Sequence, residues 1–360
     1  MALEEKATVS SLARDLGLST CTVSKILNRS FDGFTYAAET IRRVEKAAKE
    51  KNYIPNVHAR SLRSNRSMTV ALVVPGGIPY FSGALVECIE RELRPLGYET
   101  LVGHSTGEPS NESKLIKTML GKGIDGLLWI PYGKKLRPKD LAVADTFPLV
   151  LLDRPGCSSR FPTVITDNEA ASLELAKRIR DAGHGSVTML TAPGDDDSIR
   201  EREAGIRKIF GRKITRILSL NEMEPARRVI AAVAAELGES VLVCLSQNLA
   251  AGALMALMEK GIAPGVNVGF ASFDDLPMCE IWQPSITRIQ QNLDLLAKEA
   301  VRLLTEKIQN PSCRQPLEIR IPAKLTWGSS VPARSPQPSV DRLSGAPAPK
   351  VGRLLRSGIS

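Results

Sequence analysis

From residue 69 onward, short apolar runs alternate with amphipathic stretches, and this alternation constrains the fold more than any other feature. The runs are TVALVVP (69–75), YETLVGH (98–104), DGLLWI (125–130), PLVLLD (148–153), TVIT (163–166), SVTMLT (186–191), SVLVCL (240–245) and VNVGFASFD (266–274). Most are apolar throughout, as strands covered on both faces must be. Between them lie helical patterns such as LVECIERELRPLG (85–97) and NLDLLAKEAVRLLTEKI (292–308). Strands that alternate with helices form parallel sheets flanked by helices. About 260 residues is long for one core, so two lobes are expected. The fold class is α/β.

Residues 8–53 have a different texture and predict three short helices. Thr8 is placed to N-cap the first, in which Val9, Leu12, Ala13 and Leu16 recur at helical spacing, and Gly17 to stop it. Ser19 N-caps a second helix with Val23, Ile26 and Leu27 on its apolar face. A third runs from about Ala37 to Lys51 with Ile41, Val44, Ala47 and Ala48 inward, and Pro55 ends it. Two short helices joined by a glycine-containing turn form a candidate helix-turn-helix, although any small helical hairpin has the same pattern.

Charge separates the parts. Residues 1–66 carry +5, residues 67–328 carry 0 and residues 329–360 carry +4, within a net +9. A basic terminal module on a neutral body points to a polyanion, with solubility charge as the plainer alternative. The last segment, 329–360, is rich in Pro, Ser, Gly and Arg and is expected to be a disordered basic tail.

The six cysteines form no CxxC pair, and there are three histidines. No zinc ribbon, disulfide framework or other metal site is therefore expected. The start of the chain lacks a basic-then-apolar signal and no apolar run approaches about 20 residues, which leads to the expectation of a cytoplasmic chain without a membrane partner. There is no P-loop, GxGxxG after a strand, GxSxG or HExxH, so neither catalysis nor a cofactor is expected.

Specific motifs then occur in order: TVSSLARDLGLS (8–19), TVSKILN (22–28), ET-I-R-R-V (39–44), KNYIPN (51–56) and AR-S-L (59–62). In the body follow PYFSGALVECIE (79–90), GIDGLL (123–128), VLLDRP (150–155), DAGH (181–184), REREAG (200–205), FDD (273–275) and PSITRIQQ (284–291). Over roughly residues 8–328 the chain resembles the LacI/GalR family of lac repressor-like transcriptional regulators. Three departures stand out. Lys25 occupies a position where the family usually has Arg. The loop after Asn28 is about three residues longer than is common. Ser246-Gln247 replaces a usual Asn-Asp pair.

The resemblance implies a headpiece over 1–55, a hinge linker over 56–66, and a two-lobed, periplasmic-binding-protein-like effector and dimerisation domain over 67–328. In such a headpiece the second helix reads the major groove of a double-stranded operator, and N-terminal residues of that helix reach base edges. Here these are Thr20 and Cys21, with Lys25 one turn on; Ser19, Thr22 and Ser24 suit phosphate, and Asn28, at the end of the helix, is counted with the DNA-binding residues. Leu62 would be an apolar minor-groove wedge, flanked by Asn56, Ala59 and Arg60.

In the body, ligands of open α/β sheets bind near the C-terminal ends of strands. Asp153, Asp167, Ser198, Arg202, Ser246 and Asp274 fall there. Carboxylates accept from neighbouring sugar hydroxyls, arginine donates to oxygen, and Tyr80 or Phe81 offers a ring face. The implied protein is a homodimeric repressor whose operator affinity is modulated by a small effector, a sugar, held between the lobes. The alternatives are a regulator of the same fold without an effector, and a sugar-binding protein without a DNA role.

Overall fold

The computed structural model describes residues 7–29, 33, 35–54, 66–76, 79–105, 108–132, 136, 147–155, 160–193, 197–238, 240–276, 279 and 281–334. Three helices open the chain: α1 (Val9–Leu16), α2 (Thr20–Leu27) and α3 (Ala38–Glu50). They enclose a small core of Leu12, Ala13, Val23, Ile26 and Val44. Thr8 closes a capping box with Ser11, its hydroxyl accepting from Ser11 N (3.1 Å) while Ser11 Oγ accepts from Thr8 N (2.9 Å). Gly17 (φ +64) supplies the left-handed turn between the first two helices. The third helix stops at Glu50 with Lys51 as its C-cap, and Pro55, expected to end it, lies outside the described residues. The chain leaves the helix at Asn52 (φ +47), where Tyr53 N donates to Ala48 O at 2.8 Å.

Two six-stranded sheets follow. The first uses β1 (Thr69–Val74), β2 (Glu99–His104), β3 (Gly126–Trp129), β4 (Leu149–Leu152), β5 (Thr163–Thr166) and β11 (Glu318–Ile321), in the order β11-β5-β4-β3-β1-β2. The second uses β6 (Val187–Thr191), β7 (Ile214–Leu218), β8 (Val241–Cys244), β9 (Gly269–Phe273), β10 (Thr287–Gln290) and β12 (Lys324–Thr326), in the order β12-β10-β9-β8-β6-β7. Within the second, neighbours are parallel except β10 with β12.

Among the described residues, the α-helices between strands are α4 (Pro79–Leu93), α5 (Pro109–Gly121), α6 (Asn168–Asp181), α7 (Asp197–Phe210), α8 (Met223–Val233), α9 (Gln247–Glu259) and α10 (Leu293–Gln309). The period of two along β8 shows how they cover the second sheet. Val241 and Val243 pack with Leu175, Ile179, Ile199 and Ile206 of α6 and α7. Leu242 and Cys244 face Ala226, Ile230, Leu249 and Ala253 of α8 and α9. Burial at this position pushes the Cys244 thiol well above its usual range.

The chain divides into two compact units. The first comprises 1–152, 157–164 and 297–318; the second comprises 153–156, 165–296 and 319–360. The expected tail boundary at 329 requires correction. Val331 is buried in the core of the second unit, Ser330 Oγ donates to Phe270 O (2.7 Å), and Arg334 N donates to Ala182 O (2.7 Å). Residues 329–334 therefore belong to the folded body, and the rest of the expected tail lies outside the described residues.

Candidate functional site

Two places have the chemistry expected of a functional site. The first is α2. Ser19 N-caps it, its hydroxyl accepting from Thr22 N (3.0 Å) and lying 2.8 Å from Thr22 Oγ1. The Ser19 oxygen is thus engaged in holding the helix start. Thr20 and Cys21 are exposed there, while Val23 and Ile26 turn into the headpiece core. Asn28 caps the other end, its Nδ2 donating to Ser24 O at 2.8 Å. Thr22, Ser24 and Lys25 are half-buried along the helix. The hinge candidates Asn56, Ala59, Arg60 and Leu62 lie outside the described residues.

The second place is a polar network at the strand ends of the second unit. Arg202 stands in the second turn of α7 and is only 4% exposed. Its Nε donates to Asn168 Oδ1 (2.8 Å), and its Nη1 donates to Leu245 O (2.9 Å) and to Asp274 Oδ2 (3.1 Å). The guanidinium carbon lies 3.8 Å from the centroid of the Phe273 ring, a cation–π contact. Among the described residues Nη2 makes no hydrogen bond, so a buried cation keeps one nitrogen's donors available.

Asp274 follows β9 with φ +78, a left-handed conformation that Asp tolerates better than most residues. Besides Arg202, its carboxylate accepts from Gln291 Nε2 (2.6 Å) and, more weakly, from the Gln247 backbone N–H (3.4 Å). Gln291 is itself turned by a hydrogen bond from Thr166. Charge within the network is balanced, with one guanidinium against one carboxylate.

The remaining expected residues differ in role. Ser198 is buried and its hydroxyl donates to Asp153 O (2.7 Å). Asp153 (φ +60) follows β4, and its carboxylate stands 3.9 Å from Arg154. Asp167 N-caps α6, accepting from Ala170 N (3.2 Å). Ser246 N-caps α9, accepts from Leu249 N (3.3 Å) and donates to Asn221 Oδ1. Its position in place of a family Asn thus serves the helix start. In the first unit, Tyr80 is 49% exposed, whereas Phe81 is turned into the core and offers no open ring face. Asn168, Phe273, Gln291 and the Gln247 backbone had not been anticipated as site groups. Gln291 lay within the PSITRIQQ segment, which was the available signal.

The fold and these two places define a class: a helix-turn-helix headpiece carried on a two-unit body of periplasmic-binding-protein type. The family model described as periplasmic binding proteins and sugar binding domain of the LacI family matches residues 67–327. The chain belongs to the LacI/GalR family of transcriptional regulators.

Among curated proteins it is 27% identical over 314 residues to the HTH-type transcriptional repressor PurR of Vibrio atlanticus (strain LGP32), covering 84% of this chain and 92% of that protein. It is 26% identical over 335 residues to the ribose operon repressor of Escherichia coli (strain K12), covering 90% and 100%. With the sucrose operon repressor of Klebsiella pneumoniae the identity is 28% over 329 residues, covering 89% and 98%. Among solved structures, the lac repressor dimer bound to operator and the anti-inducer ONPF superposes with a TM-score of 0.78 at 21% identity, covering 91% of this chain and 100% of that one. The transcriptional regulator CelR–cellobiose complex gives 0.64 at 21%, covering 90% and 100%.

Proposed function

We propose that this chain is a sequence-specific DNA-binding repressor whose operator affinity is modulated by a small neutral polyhydroxylated ligand, a sugar, bound at the Arg202–Asp274 network. It acts as a homodimer on double-stranded DNA. The headpiece spans 1–55, the hinge 56–66, and the effector and dimerisation body begins at 67. Thr20, Cys21 and Lys25 face the bases; Ser19, Thr22, Ser24 and Asn28 hold the helix and its phosphate contacts; Asn56, Ala59, Arg60 and Leu62 serve the hinge. Asp153, Asp167, Ser198 and Ser246 shape the ligand site around the central pair; of the two aromatic candidates in the first unit, Tyr80 and not Phe81 has an open ring face. No residue is assigned a catalytic role, in keeping with relatives named as repressors. Among the described residues no helix is long and apolar enough to cross a membrane, and the reading places the protein in the cytoplasm.

The observation that carries the reading is the conjunction, in a member of this family, of an N-capped helix with exposed Thr20 and Cys21 and a buried guanidinium with donors to spare. A sugar hydroxyl accepts from Nη2 without adding charge, which suits a network already neutral. The test is footprinting on DNA upstream of the protein's own and neighbouring genes, with and without ribose, sucrose and cellobiose. Protection that a sugar relieves or strengthens supports the proposal. A complete lack of salt-dependent protection on any fragment overturns it. Protection that no ligand alters favours the effector-independent regulator, a reading consistent with Asp274 already engaged by Arg202, Gln291 and Gln247.

A further inference from the structure

The start of α7 does more than present Arg202. The chain passes between its two units at 164/165, 296/297 and 318/319, and Asp153–Gly156 makes a short excursion into the second unit. Three α7 residues within five positions bond to segments beside these junctions. Ser198 Oγ donates to Asp153 O at 2.7 Å. Arg202 Nε donates to Asn168 Oδ1 at 2.8 Å, and Asn168 Nδ2 in turn donates to Thr166 O at 3.1 Å. Glu201 accepts a two-pronged ion pair from Arg320, with Nη1 to Oε2 at 3.1 Å and Nη2 to Oε1 at 2.9 Å. Arg320 also stands 4.0 Å from Asp167, the third residue of the segment that follows 164/165. Behind these contacts Gly205 lets α7 press against α6, because a Cβ there would lie 2.5 Å from Glu169 O.

We propose that Glu201 and Arg320 are a positioning pair that transmits the state of the Arg202–Asp274 network to the connecting strands, and so sets how strongly occupancy of that site is felt outside it. The inference rests on the reading of that network as the ligand site. Glu201 precedes Arg202 on a rigid helix, so a shift of Arg202 on engaging a ligand moves Glu201 with it. The paired guanidinium geometry resists sliding more than a single-point contact does. Arg320 passes the shift to β11, whose Ile321 carbonyl accepts from the Asp167 amide at 2.8 Å. Coupling of this kind runs through discrete hydrogen-bonded contacts between packed elements. The pair is partly exposed, with side chains 37% and 19% accessible, so its loss leaves the fold intact.

The test is amide hydrogen exchange on the full chain without any added ligand, which keeps its outcome separate from whether a sugar binds. Arg320→Ala is expected to raise exchange at the Asp167 amide and through the first turns of α7 by about two- to fivefold, the range for an exposed ion pair. Arg320→Lys, which keeps a cation beside Glu201 and Asp167 without the two-pronged geometry, is expected to keep part of the protection that Arg320→Ala loses. Asp274→Asn, which loosens Arg202, is expected to raise exchange at the Asp167 amide in the parent but not in the Arg320→Ala background. An equal rise in both backgrounds, no rise in the parent, Arg320→Lys indistinguishable from Arg320→Ala, or a rise spread evenly over β6 and β8 would each overturn the proposal. Sugar binding with normal exchange coupling absent would leave the ligand site standing and remove only the positioning pair.

Discussion

Arg202 and Asp274 are 72 positions apart in the chain, yet their guanidinium and carboxylate meet at 3.1 Å with side chains only 5% and 13% accessible. Removing one partner of a pair this deep leaves the other charged and desolvated. Asp274→Ala is therefore expected to cost about 3–5 kcal/mol. Asp274→Asn, which keeps an acceptor for Nη1, is expected to cost less. Urea unfolding of the three proteins checks the order. Equal stability of Asp274→Ala and the parent would contradict the burial of the pair.

At the headpiece, Ser19→Ala removes the acceptor for the Thr22 N–H and is expected to cost about 1 kcal/mol of local stability, whereas Ser19→Gly costs only a few tenths. Exchange of the α2 amides in the full chain reads this directly, with α3 as the internal reference.

Lys25→Ala is expected to weaken operator binding by about 1–3 kcal/mol through loss of a guanine contact, and to relax discrimination at one base pair. Gel shifts at several salt concentrations check this. A loss uniform across sequences, with a shallower salt slope, would instead place Lys25 on phosphate.

His184 gives a pH dependence of stability. Its Nε2 lies 2.9 Å from Pro332 O, which can only accept, so Nε2 carries the proton and the buried Nδ1 is bare. Burial lowers the imidazole pKa, the Pro332 bond opposes that, and nearby Arg334 lowers it further. The unfolded chain thus takes up its proton near pH 6.5, before the folded chain does. This contribution to stability is fully present above about pH 6.5 and is lost as the pH falls below that value through the lowered folded pKa. His184→Gln is expected to flatten that part of the profile. Thermal melts of both proteins between pH 8 and pH 5 check it.

Gly205→Ala is expected to destabilise by about 1–3 kcal/mol, because its Cβ would meet Glu169 O at 2.5 Å and Ser172 Cβ at 2.7 Å on α6. Gly185→Ala, with open space around it, is the control and should change little. Denaturant midpoints distinguish them.

The elements legible in the sequence were those whose own residues carry a pattern. Each of the eight runs became a strand; seven are buried along nearly their whole length, as strands covered on both faces are, while β2 edges its sheet with Glu99, Val102 and His104 exposed. The caps Thr8 and Ser19 and the stop at Gly17 were equally local. Strand β7 escaped because it edges its sheet, where Thr215 and Arg216 face solvent and break the run. Strands β11 and β12 are short and follow α10 with exposed Glu318, Arg320 and Lys324, so no hydrophobic period announced them.

The sequence by itself determined the α/β architecture, the three-helix headpiece and the residue types at strand ends, because propensity, capping and burial periodicity act over a few neighbouring residues. Only the tertiary structure decided which of those strand-end residues meet. Asp153, Asp167, Ser198 and Ser246 fell at strand ends as Arg202 and Asp274 did, and only the family resemblance set the last two ahead; in the structure Ser198 and Ser246 direct their hydroxyls to structural partners and Asp167 caps a helix. Arg202 instead receives Asn168, Leu245, Phe273 and Asp274 as neighbours because β8 and β9 lie side by side in the sheet while α6 and α7 cross above them. That arrangement depends on contacts tens of residues apart, for which no local pattern exists.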